Sequence, residues 1–412
     1  MTQTSQASTP RSGKVIWRYP AFRKRELREM YDLTILCNKC KYCRFVFAPD
    51  ARDHRFVSQC PRGETFGFAA YYAEGTVEIA RGILEGRITW SKTIEHILYT
   101  CTDCGHCEFW CENAMRVYPL TIMEIMKEHY VKEVGLPEYW KPIVESLKKF
   151  RNPYGEPLEK RASWIPPGVS LPRKADTMLF VGDVYSYRAP YVAQAVLRIL
   201  HKLGVEVGYL YEDEWHSGYL LFRAGLYDDG LEFLGHNAKA LADAGAKTVV
   251  FLDPHDYRTF IKEVRDANIE LPFEVKFITD LILPLLEKES AKLRKLNMKV
   301  VYHDPCNLTR HIMPFPVWDS PREILKLIGV EVVEMFRNRL NTYCCGAGGG
   351  VEFTFPKLNK VTARRRVEEA VAVGGKYIVT TCPSCVRSFK AVANEFGVEV
   401  YNLIELIDKA LV

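Results

Sequence analysis

Thirteen cysteines stand in this chain of 412 residues, at spacings that leave few folds open. Five fall in the last third. Cys306 ends a His-Asp-Pro-Cys run, the pair Cys344-Cys345 leads into Gly-Ala-Gly-Gly-Gly, and Cys382 and Cys385 frame Cys-Pro-Ser-Cys. Between Cys306 and Cys344 lie 37 residues, and between Cys345 and Cys382 lie 36. Neighbouring cysteines rarely bridge each other, and structural zinc takes four thiolates rather than five. Five soft ligands on three separate loops suit an iron–sulfur centre, so this segment is the expected working site.

The other eight cysteines lie near the start. Cys37-Asn-Lys-Cys40-Lys-Tyr-Cys43 is a CxxCxxC run, with Phe47 where a fourth cysteine is expected and Cys60-Pro61 standing 17 positions after Cys43. Cys101-Thr-Asp-Cys104-Gly-His-Cys107-Glu-Phe-Trp-Cys111 is a full CxxCxxCxxxC run, followed by Glu112 where proline is usual. Such spacing lets three thiolates wrap one face of a cubane, while in two-cluster ferredoxins the fourth ligates the other cluster. The expected crossed sets are Cys37, Cys40, Cys43 and Cys111 for one [4Fe–4S] cubane, and Cys101, Cys104, Cys107 and Cys60 for the second. Zinc at these cysteines is the rival reading, to be dismissed by a brown protein with on the order of 12 iron atoms. Helical periodicity at 79–84, 91–99 and 120–134 makes this first domain, over 31–151, largely α-helical. Lys39, Lys41 and Arg44 flank the first motif, and Asp103, Glu108 and Glu112 the second. Positive charge favours the reduced cluster, so the first is expected to have the higher potential.

Composition narrows the setting. Apolar content of 48% and charged content of 26% describe an ordinary globular chain. The first twenty residues hold no apolar signal region, and no apolar run is long enough to span a bilayer. Cysteines used for metal rather than disulfides fit the cytoplasm, with a peripheral place on the membrane open through a partner. The net charge of +5 falls toward zero once anionic clusters are bound, which removes the case for nucleic acid. Residues 1–30 form an arm, disordered over 1–13, and 21–36 reads as a surface helix packed on its own domain.

Five prolines mark 152–175 as a semi-rigid linker. Beyond it, strands and helices alternate. Strands are expected at 177–181, 205–210, 247–252, 299–302, 330–335 and 377–380, and helices at 190–203, 257–267, 321–328, 357–373 and 384–395. The pattern is a duplication: Leu203-Gly-Val-Glu-Val207 echoes Ile328-Gly-Val-Glu-Val332, and 246–254 echoes 375–383. In the first repeat, 176–297, the five cysteine positions of the second, 298–412, carry other residues, with Asp253 and Asp256 facing Cys382 and Cys385. Its loops are expected to close by packing and hydrogen bonding, with Asp253, His255 and Asp256 as the rival metal set.

These motifs resemble the CCG cysteine-rich domains of the heterodisulfide reductase family, in its D-like branch. The resemblance implies a multidomain α and α/β fold: an N-terminal helical ferredoxin-type domain, then a duplicated α/β CCG domain whose first copy is degenerate. It also implies a noncubane [4Fe–4S] cluster on Cys306, Cys344, Cys345, Cys382 and Cys385, beside a disulfide substrate. Backbone N–H groups of Gly346, Gly348, Gly349 and Gly350 are free to approach cluster sulfides. His303 or His311, flanking Cys306, is a candidate proton donor. The expected activity is an iron–sulfur oxidoreductase subunit passing electrons through two cubanes to a noncubane cluster that reduces a disulfide. The alternative is an electron-transfer subunit linking a flavoprotein dehydrogenase to a quinone, cytochrome b or ferredoxin partner. No GxGxxG fingerprint or Walker loop is present, so electrons enter from another protein.

Overall fold

The computed structural model describes residues 25–46 and 52–412. The expected disorder over 1–13, the start of the 21–36 helix and Phe47 lie outside them. Within that helix, the chain forms a 3-10 turn at Leu27–Met30 and a short helix at Tyr31–Ile35.

The first part is helical around the cysteine motifs. Its helices are Pro61–Phe66, Ala73–Leu84, Lys92–Tyr99, His106–Met115, Pro119–Glu133 and Lys141–Phe150. Ser91 caps Lys92–Tyr99 by accepting from the Ile94 N–H. Glu108 accepts from Leu120 N and Thr121 N at 2.8 Å each, so one cysteine-bearing helix caps the next. Val77, Leu98, Tyr99, Met123, Met126 and Trp140 fill the core between them.

The rest is two parallel four-stranded sheets of identical topology. The first holds β1 (Thr177–Phe180), β2 (Gly208–Tyr209), β3 (Thr248–Phe251) and β4 (Glu274–Phe277) in the order β2-β1-β3-β4. The second holds β5 (Met298–Tyr302), β6 (Val330–Val333), β7 (Tyr377–Thr380) and β8 (Glu399–Asn402) in the order β6-β5-β7-β8. Central strands read as unbroken apolar runs because helices cover both faces: Met178, Leu179, Phe180, Val249, Val250 and Phe251 are all buried. Register is in step, with Leu179 beside Val250 and Val301 beside Ile378. One core runs through both repeats.

Several expectations change. The 205–210 strand shrinks to two residues. The 257–267 helix is three pieces, with a π turn at Thr259–Glu263 between helical turns. The proline-rich segment is no bare spacer. Its Arg161 and Trp164 are fully buried, and Arg161 pairs with Asp183 and with Glu214 (2.6 Å) at the ends of β1 and β2. Glu214 in turn accepts from Val181 N and Gly182 N at 2.8 and 3.0 Å. The first repeat thus closes its loops by hydrogen bonding, with a residue borrowed from the preceding segment.

Candidate metal centres

Parallel strands deliver loops to one edge of a sheet, and the second repeat uses that edge for its thiols. Cys306 follows β5, Cys344 and Cys345 follow β6, and Cys382 and Cys385 follow β7 at the start of the helix Pro383–Ala393. The thiols form a continuous chain of contacts: Cys306 to Cys344, Cys344 to Cys345, Cys345 to Cys385 and Cys385 to Cys382. Contacts from Cys306 and Cys345 hold Cys344 well below the usual thiol range, helped by the Gly346 N–H at 3.3 Å from its Sγ. A run of five touching sulfurs, four of them buried, is a donor set that fits an iron–sulfur centre.

The eight earlier cysteines divide into two cavities. Cys37, Cys40, Cys43 and Cys111 line one. Cys60, Cys101, Cys104 and Cys107 line the second, and Cys43 lines both. Burial pushes the thiols of Cys104 and Cys111 up to about 12, so each holds its proton until a metal displaces it. Cys40 is exposed and Cys104 is buried, so the first set reaches nearer to solvent than the second.

The second cavity abuts the five-thiol site. The Cys101–Cys104 turn packs under the glycine loop so closely that a Cβ on Gly348 or Gly349 would overlap the carbonyl oxygens of Thr102 and Cys101. Arg310 donates to the carbonyls of Cys104 (2.8 Å) and Thr342 (2.7 Å), and His311 Nε2 lies 2.7 Å from the carbonyl of Asp103. Tyr343 donates to Glu64 at 2.6 Å, and Arg337 donates to the Ser58 carbonyl, so the Cys60 segment is clamped from the same repeat. Tyr219 adds a third tie: its hydroxyl accepts from Gly349 N at 3.1 Å and lies 3.4 Å from Asp103 Oδ2.

Gly349 has φ +67, a left-handed conformation that costs any other L-residue energy. Gly349→Ala adds a steric overlap to that strain. It is expected to lower stability by about 1–3 kcal/mol, measured by anaerobic thermal unfolding, whereas Gly374→Ala, with open space around it, carries the strain alone.

Folding compensates part of the charge contrast read from the two early motifs. Arg44 is paired with Glu74, and Lys39 with Glu78 at 3.6 Å. Asp103 is paired with Arg223 at 2.6 Å. Buried Arg62, beside Cys60, Cys101 and Cys107, places a cation at the second cavity instead. Sequence reasoning missed Arg62, although its place two residues after Cys60 in a proline-started helix was a signal.

Among the histidines singled out, His303 is buried against Phe389 and accepts from Arg366 Nε at 3.1 Å. Burial, with Arg366 and Arg310 nearby, drives its pKa well down. His311 is occupied at Asp103. A cavity of about 40 Å³ between the two repeats is lined instead by Asp183, His216, Asp253, His255, Glu352 and Ser384. Gly218 N donates to His216 Nδ1 at 2.9 Å, which leaves the ring proton on Nε2 when the ring is neutral. Burial opposes charge on His255, but Asp253 and Cys382 push it up to about 10. Of the rival metal set, Asp253 and His255 lie together with Cys382. Asp256 faces Gly182 and Ser217, and burial beside Asp253 and Asp183 drives its pKa well up. Among the described residues, no helix is long and apolar enough to cross a membrane.

The family model for the cysteine-rich domain (CCG) matches residues 300–390. The chain is 35% identical over 324 residues to the D component of the Dihydromethanophenazine:CoB--CoM heterodisulfide reductase of Methanosarcina mazei, spanning 76% of this chain and 78% of that protein. It is 29% identical to the Probable iron-sulfur-binding oxidoreductase FadF of Bacillus subtilis, over 77% of this chain and 47% of that one. To the EtfAB:quinone oxidoreductase of Syntrophomonas wolfei it is 27% identical, over 80% of this chain and 48% of that protein.

Proposed function

The chain belongs to the D-type branch of the heterodisulfide reductase family of iron–sulfur oxidoreductases, and we propose that it is a redox subunit in which two cubane sites serve a five-cysteine noncubane site that reduces a disulfide. The observation that carries this reading is the packing of the Cys101–Cys104 turn directly beneath the Gly346–Gly350 loop. When bound, the three centres supply one-electron carriers. The chain's part is to hold their ligands in sequence from an exposed end at Cys40 to a buried end at Cys382.

Each residue has a task in this scheme. Cys37, Cys40, Cys43 and Cys111 form the outer ligand set, and Cys60, Cys101, Cys104 and Cys107 the inner one. Arg62 offsets thiolate charge at the inner set. Gly348 and Gly349 let the loop of the noncubane site lie against the Cys101–Thr102 backbone, and Gly346 turns its N–H to Cys344 Sγ. A disulfide of the kind cleaved in heterodisulfide reduction approaches from the small cavity between the repeats, where His216 and His255 are better placed than His303 to meet the departing thiolate.

A second reading rests on a different observation. The first repeat has no thiol at its strand ends, so one disulfide cannot be held between two clusters. The chain would then relay electrons between a flavoprotein and a quinone, a b-type cytochrome or a ferredoxin; the Syntrophomonas wolfei relative is named an EtfAB:quinone oxidoreductase.

Ligand assignment is tested by serine variants read by EPR on anaerobically prepared protein. Cys60→Ser and Cys104→Ser are expected to remove one cubane signal, and Cys37→Ser and Cys111→Ser the other. Grouping Cys60 with Cys37 or Cys111 with Cys104 would refute the crossed arrangement. Wild-type protein should carry about 12 iron atoms, and colourless, sulfide-free material would refute the whole reading.

A further inference from the structure

We infer that the thiol-free first repeat acts on the noncubane site of the second: Asp253 and His255 form a positioning pair beside Cys382 that sets the reduction potential of the centre held there. The inference rests on the assignment of Cys382 as a ligand.

The topology places the pair. Asp253 follows β3 as Cys382 follows β7, and each is the cap of a helix that begins with proline. Where the second repeat presents a thiol, the first presents a carboxylate, and that carboxylate holds a histidine. Asp253 Oδ1 accepts from His255 N at 2.8 Å and stands 2.9 Å from His255 Nδ1. These two bonds fix the ring's orientation. The ring meets Tyr219 edge-on at 4.8 Å between centroids, and the Tyr219 hydroxyl is bonded to Gly349 N. The imidazole is therefore locked between its own helix start and the glycine loop of the noncubane site.

A ring nitrogen of His255, a carboxylate oxygen of Asp253 and Cys382 Sγ all lie within 4.8 Å of one another. Asp253 and Cys382 are buried, at 4% and 2% exposure. With water displaced, a polar group at that distance acts on the ligand at low effective dielectric. Reduction adds one negative charge to the centre, and N–H groups or positive charge near a cluster sulfur stabilise that state. Outer partners of this kind orient and tune metal ligands. The first repeat, having no thiols of its own, supplies the polar wall.

The test is an EPR-monitored redox titration of anaerobically prepared wild type, His255→Phe and His255→Gln, with iron, sulfide and total metal analysis. His255→Phe keeps a flat ring against Tyr219 but removes every polar atom. Its noncubane midpoint is expected to move negative, so that at the wild-type midpoint the ratio of reduced to oxidised centre falls roughly tenfold, as expected when a polar group within 4.8 Å of the ligand is removed at low effective dielectric. His255→Gln, which keeps an N–H, is expected to move less, and both cubane midpoints should stay in place. An unmoved noncubane midpoint in a fully loaded His255→Phe protein overturns the inference. So does loss of one further metal equivalent with all clusters retained, which would make the three groups a mononuclear ion site. Absence of a third centre from the wild type overturns the ligand assignment instead.

Discussion

A Cys345→Ser variant is expected to lose about four of roughly 12 iron atoms, and with them all disulfide reduction, while both cubane signals persist. Cys345 stands in the middle of the thiol chain, touching Cys344 on one side and Cys385 on the other. Serine is nearly isosteric, so the buried loop has no reason to collapse. Its hydroxyl, however, is a hard donor and a poor substitute for thiolate toward iron. The eight earlier cysteines line cavities of their own, with Glu74 in the wall of one and Arg62 in the wall of the other. Selective loss is therefore the expected outcome, read by iron and sulfide analysis and by thiol release from a small disulfide with a chemical reductant. Retained turnover in protein that has lost the third centre would rule out catalysis there. The relay reading would then stand, because the cubane sites alone suffice to accept electrons.

The cysteine spacing made the thiol groupings legible, since side chains in tight runs are fixed by local geometry. Cys101, Cys104 and Cys107 stand three apart and reach one cavity through a single turn. Cys60 was legible by elimination, as the one remaining thiol for that set. The duplication was equally plain in Leu203–Val207 and Ile328–Val332, because strand and turn residues repeat with the fold. What escaped was decided across the chain rather than along it. β4 and β8 lie at sheet edges with half-exposed faces, so Glu274–Phe277 and Glu399–Asn402 lack the apolar run that marks a central strand. Arg161 and Trp164 sit among prolines, and only the packing of the first repeat shows that they are buried. His303 shares a segment with Cys306, which made it a candidate, but Arg366, from a helix far along the chain, occupies its Nδ1. His255 comes from the other repeat and reaches Cys382 only because the two sheets share a core. Proximity in sequence therefore predicted thiol sets well and their polar surroundings poorly.

Removing Arg223 is expected to produce the largest loss of stability, about 3–5 kcal/mol for Arg223→Met. Arg223 is 2% exposed and contacts Asp103 Oδ2 at 2.6 Å, Glu124 Oε1 at 2.5 Å and Glu263 Oε1 at 2.8 Å. These three carboxylates come from the Cys101–Cys104 loop, the helix Pro119–Glu133 and the first repeat, so one guanidinium joins three parts of the molecule. Methionine fills much of the volume, and the cost is then chiefly buried negative charge without its partner. Arg258 still pairs with Glu263 at 2.9 Å and Lys262 with Glu124 at 3.3 Å, so the carboxylate left worst off is Asp103, whose remaining cation, Arg258, stands at 3.7 Å. By contrast, Lys239→Ala breaks an exposed pair with Asp243 and should cost under about 1 kcal/mol. The pH dependence separates charge from packing. Burial works against ionised Asp103 and Glu124, but Arg223, the strongest of several cations that include Arg258, tips the balance, and both sit below the usual carboxylate range. A folded pKa below the unfolded one means that the unfolded chain binds more protons on acidification. This stabilisation is therefore present above roughly pH 4 and is lost as pH falls through the folded values. Without Arg223 the buried carboxyls shift upward, and the folded variant accepts protons before the unfolded chain does. The gap between wild type and Arg223→Met should accordingly narrow from pH 7 toward pH 4.5 in anaerobic thermal unfolding. A gap that stays constant over that interval would assign the loss to packing and remove the charge network from the account of how the Cys101–Cys104 loop is held.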